Sequence, residues 1–313
     1  MKMIEKIKEQ LKLTSPPGTL CDKDIAMAVL MRDPANLASL FNSLHFFKEK
    51  IHPEELMERD SRLASLCFED MERMKKKGQT LYRVVFKTWS GRYKVHMGFE
   101  NASESDPTLA IKTLNYDATE YHIQMAAKQK ENRKKWKGKN EKGLTEEEWL
   151  RKFKKRDSLE LLVTAVLFTG GEWDCAKDIR DMFEIDDEYV RWKPSWPLQI
   201  INPHEMGDEE ILAMESNDMK FFVGVIKYSK DSEAIENYIR QHCNTFEISP
   251  QSAYITGVMT DMKWLEKKYA KRRNEREEGE NMCLAFEGWE KRAITKGVIE
   301  GRLKVSVKKD EEL

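Results

Sequence analysis

Residues 81–102, LYRVVFKTWSGRYKVHMGFENA, alternate apolar and polar side chains in two runs broken at Trp89-Ser90-Gly91-Arg92. Alternation with a period of two is what a strand with one buried face requires, and two such runs across a short break read as a β-hairpin. In the second run Tyr93, Val95, Met97 and Phe99 fall on one face, and Lys94, His96 and Glu100 on the other. A carboxylate at the far end of a rigid strand can be aimed into a cleft, which is what a metal site requires. An edge hairpin whose charged face meets solvent has the same pattern.

The flanking sequence supplies the layers that such a hairpin needs. Before it, Asp22 or Asp24 can cap a helix carrying Ile25, Ala28, Val29 and Met31, and Leu37, Leu40 and Phe41 continue the periodicity. His52-Pro53 breaks it, and Pro53 suits the first position of a new turn. Asp60 reads most simply as a turn or capping residue. After the hairpin, Ser103-Glu104-Ser105-Asp106 is a polar turn, and Pro107 opens a long helix over about 107–127. Leu114, Ala118, Tyr121 and Met125, with Ile111 nearby, form the stripe expected to face the sheet, with Asp117 and Glu120 on other faces. Thr145 and Glu148 have the spacing of a capping box.

Residues 159–168, LELLVTAVLF, are the most apolar run in the chain and read as a buried central strand ahead of Gly170-Gly171. A short strand at 197–202 lies between prolines, and 208–228 and 231–243 read as two helices. The fold class is therefore α/β (α+β), a mixed sheet with flanking helices. From Asp261 onwards the chain reads as helical and highly charged, with a narrow stripe of Met282, Ala285, Phe286 and Trp289 suited to a partner chain or to docking on the same domain.

A charged content of 35% with a net charge of −1 gives a surface of both signs, so a nucleic-acid partner must meet a local basic patch. Such a patch follows the long helix, where Lys134, Lys135, Lys137 and Lys139 surround Trp136. Lysines can contact phosphates and an aromatic can stack on a base, while a solvated connector diluted by glutamates has the same composition. No run approaches the roughly 18 apolar residues of a membrane span. The five scattered cysteines, without a CxxC pair, fit reduced thiols in a cytoplasm rather than a zinc site.

Several stretches, in order, resemble one family: KDIAMAVLMRDPANLASLFNSL and IHPEELMERDS, then YRVVFK with YKVHMGFENAS, TLNYDATEYHIQ, LLVTAVLFTGGEWDCAKDIRDMFEI, VIKYSKD and EEGENMCLAFEGWEKRAITKG. They resemble bacterial proteins of the recombination-promoting nuclease and transposase-like group of the PD-(D/E)XK nuclease superfamily, over about residues 22–300. The resemblance implies a PD-(D/E)XK-like domain at 22–245, after an N-terminal segment at 1–21 and before a helical extension at 246–313. It also implies DNA as partner, a mobile-element or defence role, and self-association through the C-terminal helix is compatible with it.

The family's chemistry uses an acidic residue on each hairpin strand to hold Mg²⁺, with Gln or Lys two positions after the second. Glu100 stands at the second carboxylate, as metal ligand and catalytic residue, and Lys87 at a phosphate or transition-state contact. Val84 stands where the first carboxylate is expected, and Ala102 where the Gln or Lys is expected. The resemblance thus implies a Mg²⁺-dependent DNA endonuclease with a degenerate site, or a non-catalytic binding or interaction module. Asp60, Glu104 and Asp106 are the neighbouring carboxylates that could replace a lost ligand.

Overall fold

Proline and aspartate set the first helical boundary. In the computed structural model, α1 (Asp22–Met31) and α2 (Pro34–Ser43) are separate helices, although the apolar periodicity runs through both. Asp33 caps α2 by accepting from the Ala35 amide at 2.8 Å, and Pro34 takes the first helical position. The structure describes residues 22–45, 47–58, 85–90, 94–136, 143–242, 247–273, 275–276 and 280–281. The N-terminal segment 1–21, Asp60, Val84, Lys137, Lys139 and the stripe from Met282 to Trp289 lie outside them.

The chain divides into two units, Met1–Pro203 and His204–Leu313. This division falls at 203/204, inside the domain expected over 22–245.

The first unit holds a five-stranded sheet in the order β1 (Leu56–Glu58), β2 (Val85–Ser90), β3 (Lys94–Ala102), β4 (Leu161–Phe168) and β5 (Gln199–Ile201). The first three strands are antiparallel, and β3, β4 and β5 run parallel. The expected hairpin is β2–β3, with Val85 opposite Phe99 and Ser90 opposite Lys94. A parallel neighbour needs a long crossover, and between β3 and β4 this includes α3 (Leu109–Lys135) and the short α4 (Glu146–Arg151). At 27 residues α3 is about 40 Å long, and it carries the first lysines of the basic run on a helix. The Thr145–Glu148 capping box is present: Thr145 Oγ1 accepts from the Glu148 amide, and Glu148 accepts from the Thr145 amide.

One sheet face is apolar, with Val95, Met97, Phe99, Ala165 and Leu167 all buried. The other face, which carries His96, Gly98, Glu100 and Ala102 beside Leu162, Thr164, Val166 and Phe168, lies under α3. Here the helix departs from expectation. Its buried residues at this end are Leu109, Ala110, Thr113, Tyr116, Asp117, Thr119 and Glu120; of the expected stripe Tyr121 packs on Leu162, whereas Ala118 and the nearby Ile111 are exposed. The reason is chemical complementarity: the strands offer His96 and Thr164, so the helix turns carboxylates inward, where each finds a hydrogen-bonding partner.

In the second unit, the stretch read as one helix over 208–228 is two, α5 (Asp208–Leu212) and α6 (Asn217–Lys227), because Ser216 caps the second by accepting from the Met219 amide. Phe221 and Val225 of α6 pack with Ile235, Tyr238 and Ile239 of α7 (Ser232–His242) and with Ala253 and Leu265 of α8 (Pro250–Met259) and α9 (Lys263–Tyr269). A Cβ at Gly224 would overlap the Tyr238 ring, whose hydroxyl donates to the Lys220 carbonyl at 3.1 Å. Gly224→Ala gains about 1 kcal/mol of helix propensity but forces a tethered ring to move. The net result expected in urea unfolding is a loss of about 1–3 kcal/mol, and an unchanged midpoint would show that the ring yields freely. Among the described residues no helix is long and apolar enough to cross a membrane.

Candidate functional site

Glu100 sits near the end of β3, half-buried, opposite Val166. Along its face the next position is Ala102, opposite Phe168, and these join Val166, Leu109, Ala110 and Trp173 in an apolar cluster. Oxygen donors for a hard cation are not among these neighbours. Asp106 is occupied elsewhere: it accepts from the Thr108 amide and hydroxyl and pairs with Lys112 at 2.6 Å. Burial pushes the Asp106 carboxyl up, and the bonds from Lys112 and Thr108 outweigh it and hold the group below its ordinary range. Glu104 is exposed. Among the described residues no three His, Cys, Asp or Glu side chains are grouped to hold a metal ion. The side chains clustered with Ala102 and Phe168 beside Glu100 are apolar and would not ligate the divalent cation that the resemblance implies.

Lys87 pairs with Met97 on one side and Glu58 on the other. Met97 is three residues from Glu100, and an odd separation sets the Lys87 and Glu100 positions on opposite faces of the pleat. The two residues singled out for chemistry are not brought together by the register.

What the fold does bring together is a polar network between α3 and the sheet. His96 Nδ1 lies 2.8 Å from a Glu120 oxygen, its Nε2 meets Glu160, and Lys94 reaches the other Glu160 oxygen at 2.9 Å. Each ring nitrogen thus lies within hydrogen-bond reach of a carboxylate, and the Gln124 amide nitrogen also approaches Nδ1 at 3.4 Å. Burial is the largest influence on the Glu160 carboxyl and raises it, but the bonds and charges of Lys94 and His96 outweigh burial and hold it below its ordinary range. Gln124 fixes the Glu160 backbone from both sides, accepting from its amide at 2.8 Å and donating to its carbonyl at 3.2 Å. One helical turn earlier, Asp117 accepts from Thr164 Oγ1 at 2.8 Å and from Trp196 Nε1 at 2.7 Å. With both ring nitrogens engaged and 2% exposure, His96 is closed to a substrate. The network is a clasp holding helix to sheet.

The basic end of α3 is the remaining candidate. Lys134 and Lys135 are exposed, and Lys135 pairs with Glu131 at 2.5 Å. Trp136 is 5% exposed, its ring stacked on Trp149 at 6.2 Å, with the Lys152 and Lys154 ammonium groups above the pair. Its faces are taken by the protein, so it packs rather than serving as an open platform for a base. Asn132 donates to the Lys152 carbonyl at 2.9 Å and to Asp157 at 3.0 Å, folding residues 152–157 against the helix end. This brings Lys154, Lys155 and Arg156 beside Arg133 and Lys134, and none of these five carries an ion pair among the described residues. This second basic run is absent from the sequence-based candidates; its signal is the string RKFKKR at 151–156.

Comparison with family models, with curated proteins and with solved structures gives no match for this chain.

Proposed function

We propose that the first unit is a nuclease-fold module of the PD-(D/E)XK type, akin to the recombination-promoting nuclease and transposase-like group, that grips DNA without the metal site needed to cut it. The observation that carries this reading is the strand order: an antiparallel hairpin followed by a helix-linked parallel strand, with a carboxylate, Glu100, near the end of the second hairpin strand. Support for lost hydrolysis comes from Ala102, Val166 and Phe168 around that carboxylate, where oxygen or nitrogen ligands would be required. Support for a polyanionic partner comes from the unpaired cations Arg133, Lys134, Lys154, Lys155 and Arg156 gathered at one end of α3. A cytoplasmic location belongs to the same reading.

Fluorescence anisotropy with a labelled DNA duplex tests it. The full chain is expected to bind with affinity falling steeply as salt rises. Lys134→Glu/Lys154→Glu/Lys155→Glu is expected to weaken binding at least about tenfold and to flatten the log–log salt slope by roughly 2–3, near 0.9 for each phosphate no longer neutralised. Binding absent at low salt, or an unchanged slope in a variant with wild-type circular dichroism, removes DNA as the partner of this surface.

A further inference from the structure

Between β4 and β5 the chain leaves the sheet on a closed neck. The Asp178 carboxylate accepts from the Ser195 hydroxyl at 2.6 Å, the Trp196 amide at 2.7 Å and the Arg180 amide at 3.0 Å. Asp178 also bridges to Pro197, and Trp196 is anchored below by its bond to Asp117. Residues 179–195 are thus a compact loop with pinned ends, rather than a loose connection.

Its surface composition is inverted. Of the eleven large hydrophobic residues exposed among the described residues, five lie within 182–192: Met182, Phe183, Ile185, Tyr189 and Trp192. Tyr189 is 50% and Trp192 70% exposed, at a density that marks interaction surfaces. Interleaved with them, 181–188 carries five carboxylates and no cation. Asp181, Glu184, Asp186 and Glu188 are exposed and make no ion pair among the described residues. Arg180, Arg191 and Lys193 flank this run, and the acidic segment 181–188 itself favours an occupant that is both apolar and basic.

The same unit presents such a surface. Around the unpaired Lys154, Lys155 and Arg156, the side chains of Leu150, Leu159 and Leu161 are also exposed, Leu150 to 72%. Two of the carboxylates there are engaged internally: Glu148 accepts from the Thr145 and Lys155 amides, Asp157 from the Lys154 amide and Asn132. Cations and leucines remain facing outward. We propose that the 179–195 arm of one chain docks on the basic, leucine-bearing surface formed by residues 133–136 and 150–161 of a second copy, giving head-to-tail self-association. Charge complementarity steers the encounter, and Phe183, Tyr189 and Trp192 supply the apolar anchors. The contact joins unlike surfaces, so it extends with concentration unless a ring closes. DNA and the arm compete for the same cations.

Light scattering and sedimentation of the full chain provide the test. At low salt the average mass is expected to rise with concentration above one chain, and to return to one chain in about 1 M salt, where the screening length is about 3 Å. Two charge reversals, Glu184→Lys/Asp186→Lys/Glu188→Lys on the arm and Lys154→Glu/Lys155→Glu/Arg156→Glu on the receiving surface, should each leave single chains. Mixing the two variants should restore a pairwise complex. Trp192→Ser should lose association with all charges intact. The arm variant should keep its DNA affinity, which separates failure of this docking from failure of DNA binding. Wild-type protein that stays single at every concentration in low salt overturns the proposal. So does association that survives both reversals, which would point to another surface.

Discussion

His96→Ala is expected to lower the free energy of unfolding by about 3–5 kcal/mol, the scale for removing one partner of a buried ion pair. His96 is 2% exposed and joins two carboxylates, and Glu120, at 4% exposure, would lose its ring partner beside a cavity. The apolar contacts of α3 with the sheet, Leu109 and Ala110 on Val166 and Phe168 and Tyr121 on Leu162, remain in the variant. Glu120→Gln should cost less, since an amide oxygen still accepts from the ring and no charge is stranded. Urea unfolding gives the energies, and amide exchange along α3 should show the helix opening first in His96→Ala. The acid side carries a sign that can be checked. A Glu160 carboxyl held below 4.5 in the folded protein contributes stability that is present at neutral pH and lost as pH falls through the folded value. The wild-type advantage over His96→Ala should therefore narrow below about pH 4.5. A loss under about 1 kcal/mol at neutral pH would mean that the clasp is incidental to stability.

Elements whose burial follows one period were legible in the sequence. Residues 159–168 could be placed in the sheet because an apolar run of that length with glycines after it has few other uses, and β4 covers 161–168. The hairpin was legible from alternation, and the short turn at Pro53 from proline's fixed φ. The inward side of α3 was not legible. Helical periodicity assigns carboxylates to solvent, and only the register of β3 against β4, which places His96 and Thr164 on the covered face, shows why Asp117 and Glu120 turn inward. Trp136 illustrates the same limit: within a lysine run it suggests an exposed platform, yet its partner Trp149 arrives from beyond Gly143 and closes over it. The candidate site was legible one residue at a time. Glu100 and Lys87 each occupy a strand, but the odd separation of their register positions sets them on different faces, which depends on pairing and not on either strand alone.

Cleavage is where the largest change is expected. On the proposed reading, hydrolysis lacks a carboxylate at Val84 and a polar side chain at Ala102, and one remaining carboxylate seldom holds Mg²⁺. Each missing group of this kind commonly removes about 10²–10³-fold in rate, near 3–4 kcal/mol of transition-state stabilisation. Val84→Asp/Ala102→Gln is accordingly expected to cut DNA at least about a hundredfold faster than the wild type. Glu100→Ala should abolish that gain, because the restored ligands have no use without it. Calorimetric titration with Mg²⁺ or Mn²⁺ should show at most weak binding by the wild type and tighter binding by the restored protein. The most direct measurement is a Mg²⁺-dependent cleavage assay on linear duplex DNA with four full-length proteins: wild type and Val84→Asp/Ala102→Gln, each with and without Glu100→Ala. The account predicts cleavage by the double variant alone. Robust cleavage by the wild type, lost on Glu100→Ala, would contradict it and reveal a working nuclease whose ligands come from elsewhere in the chain.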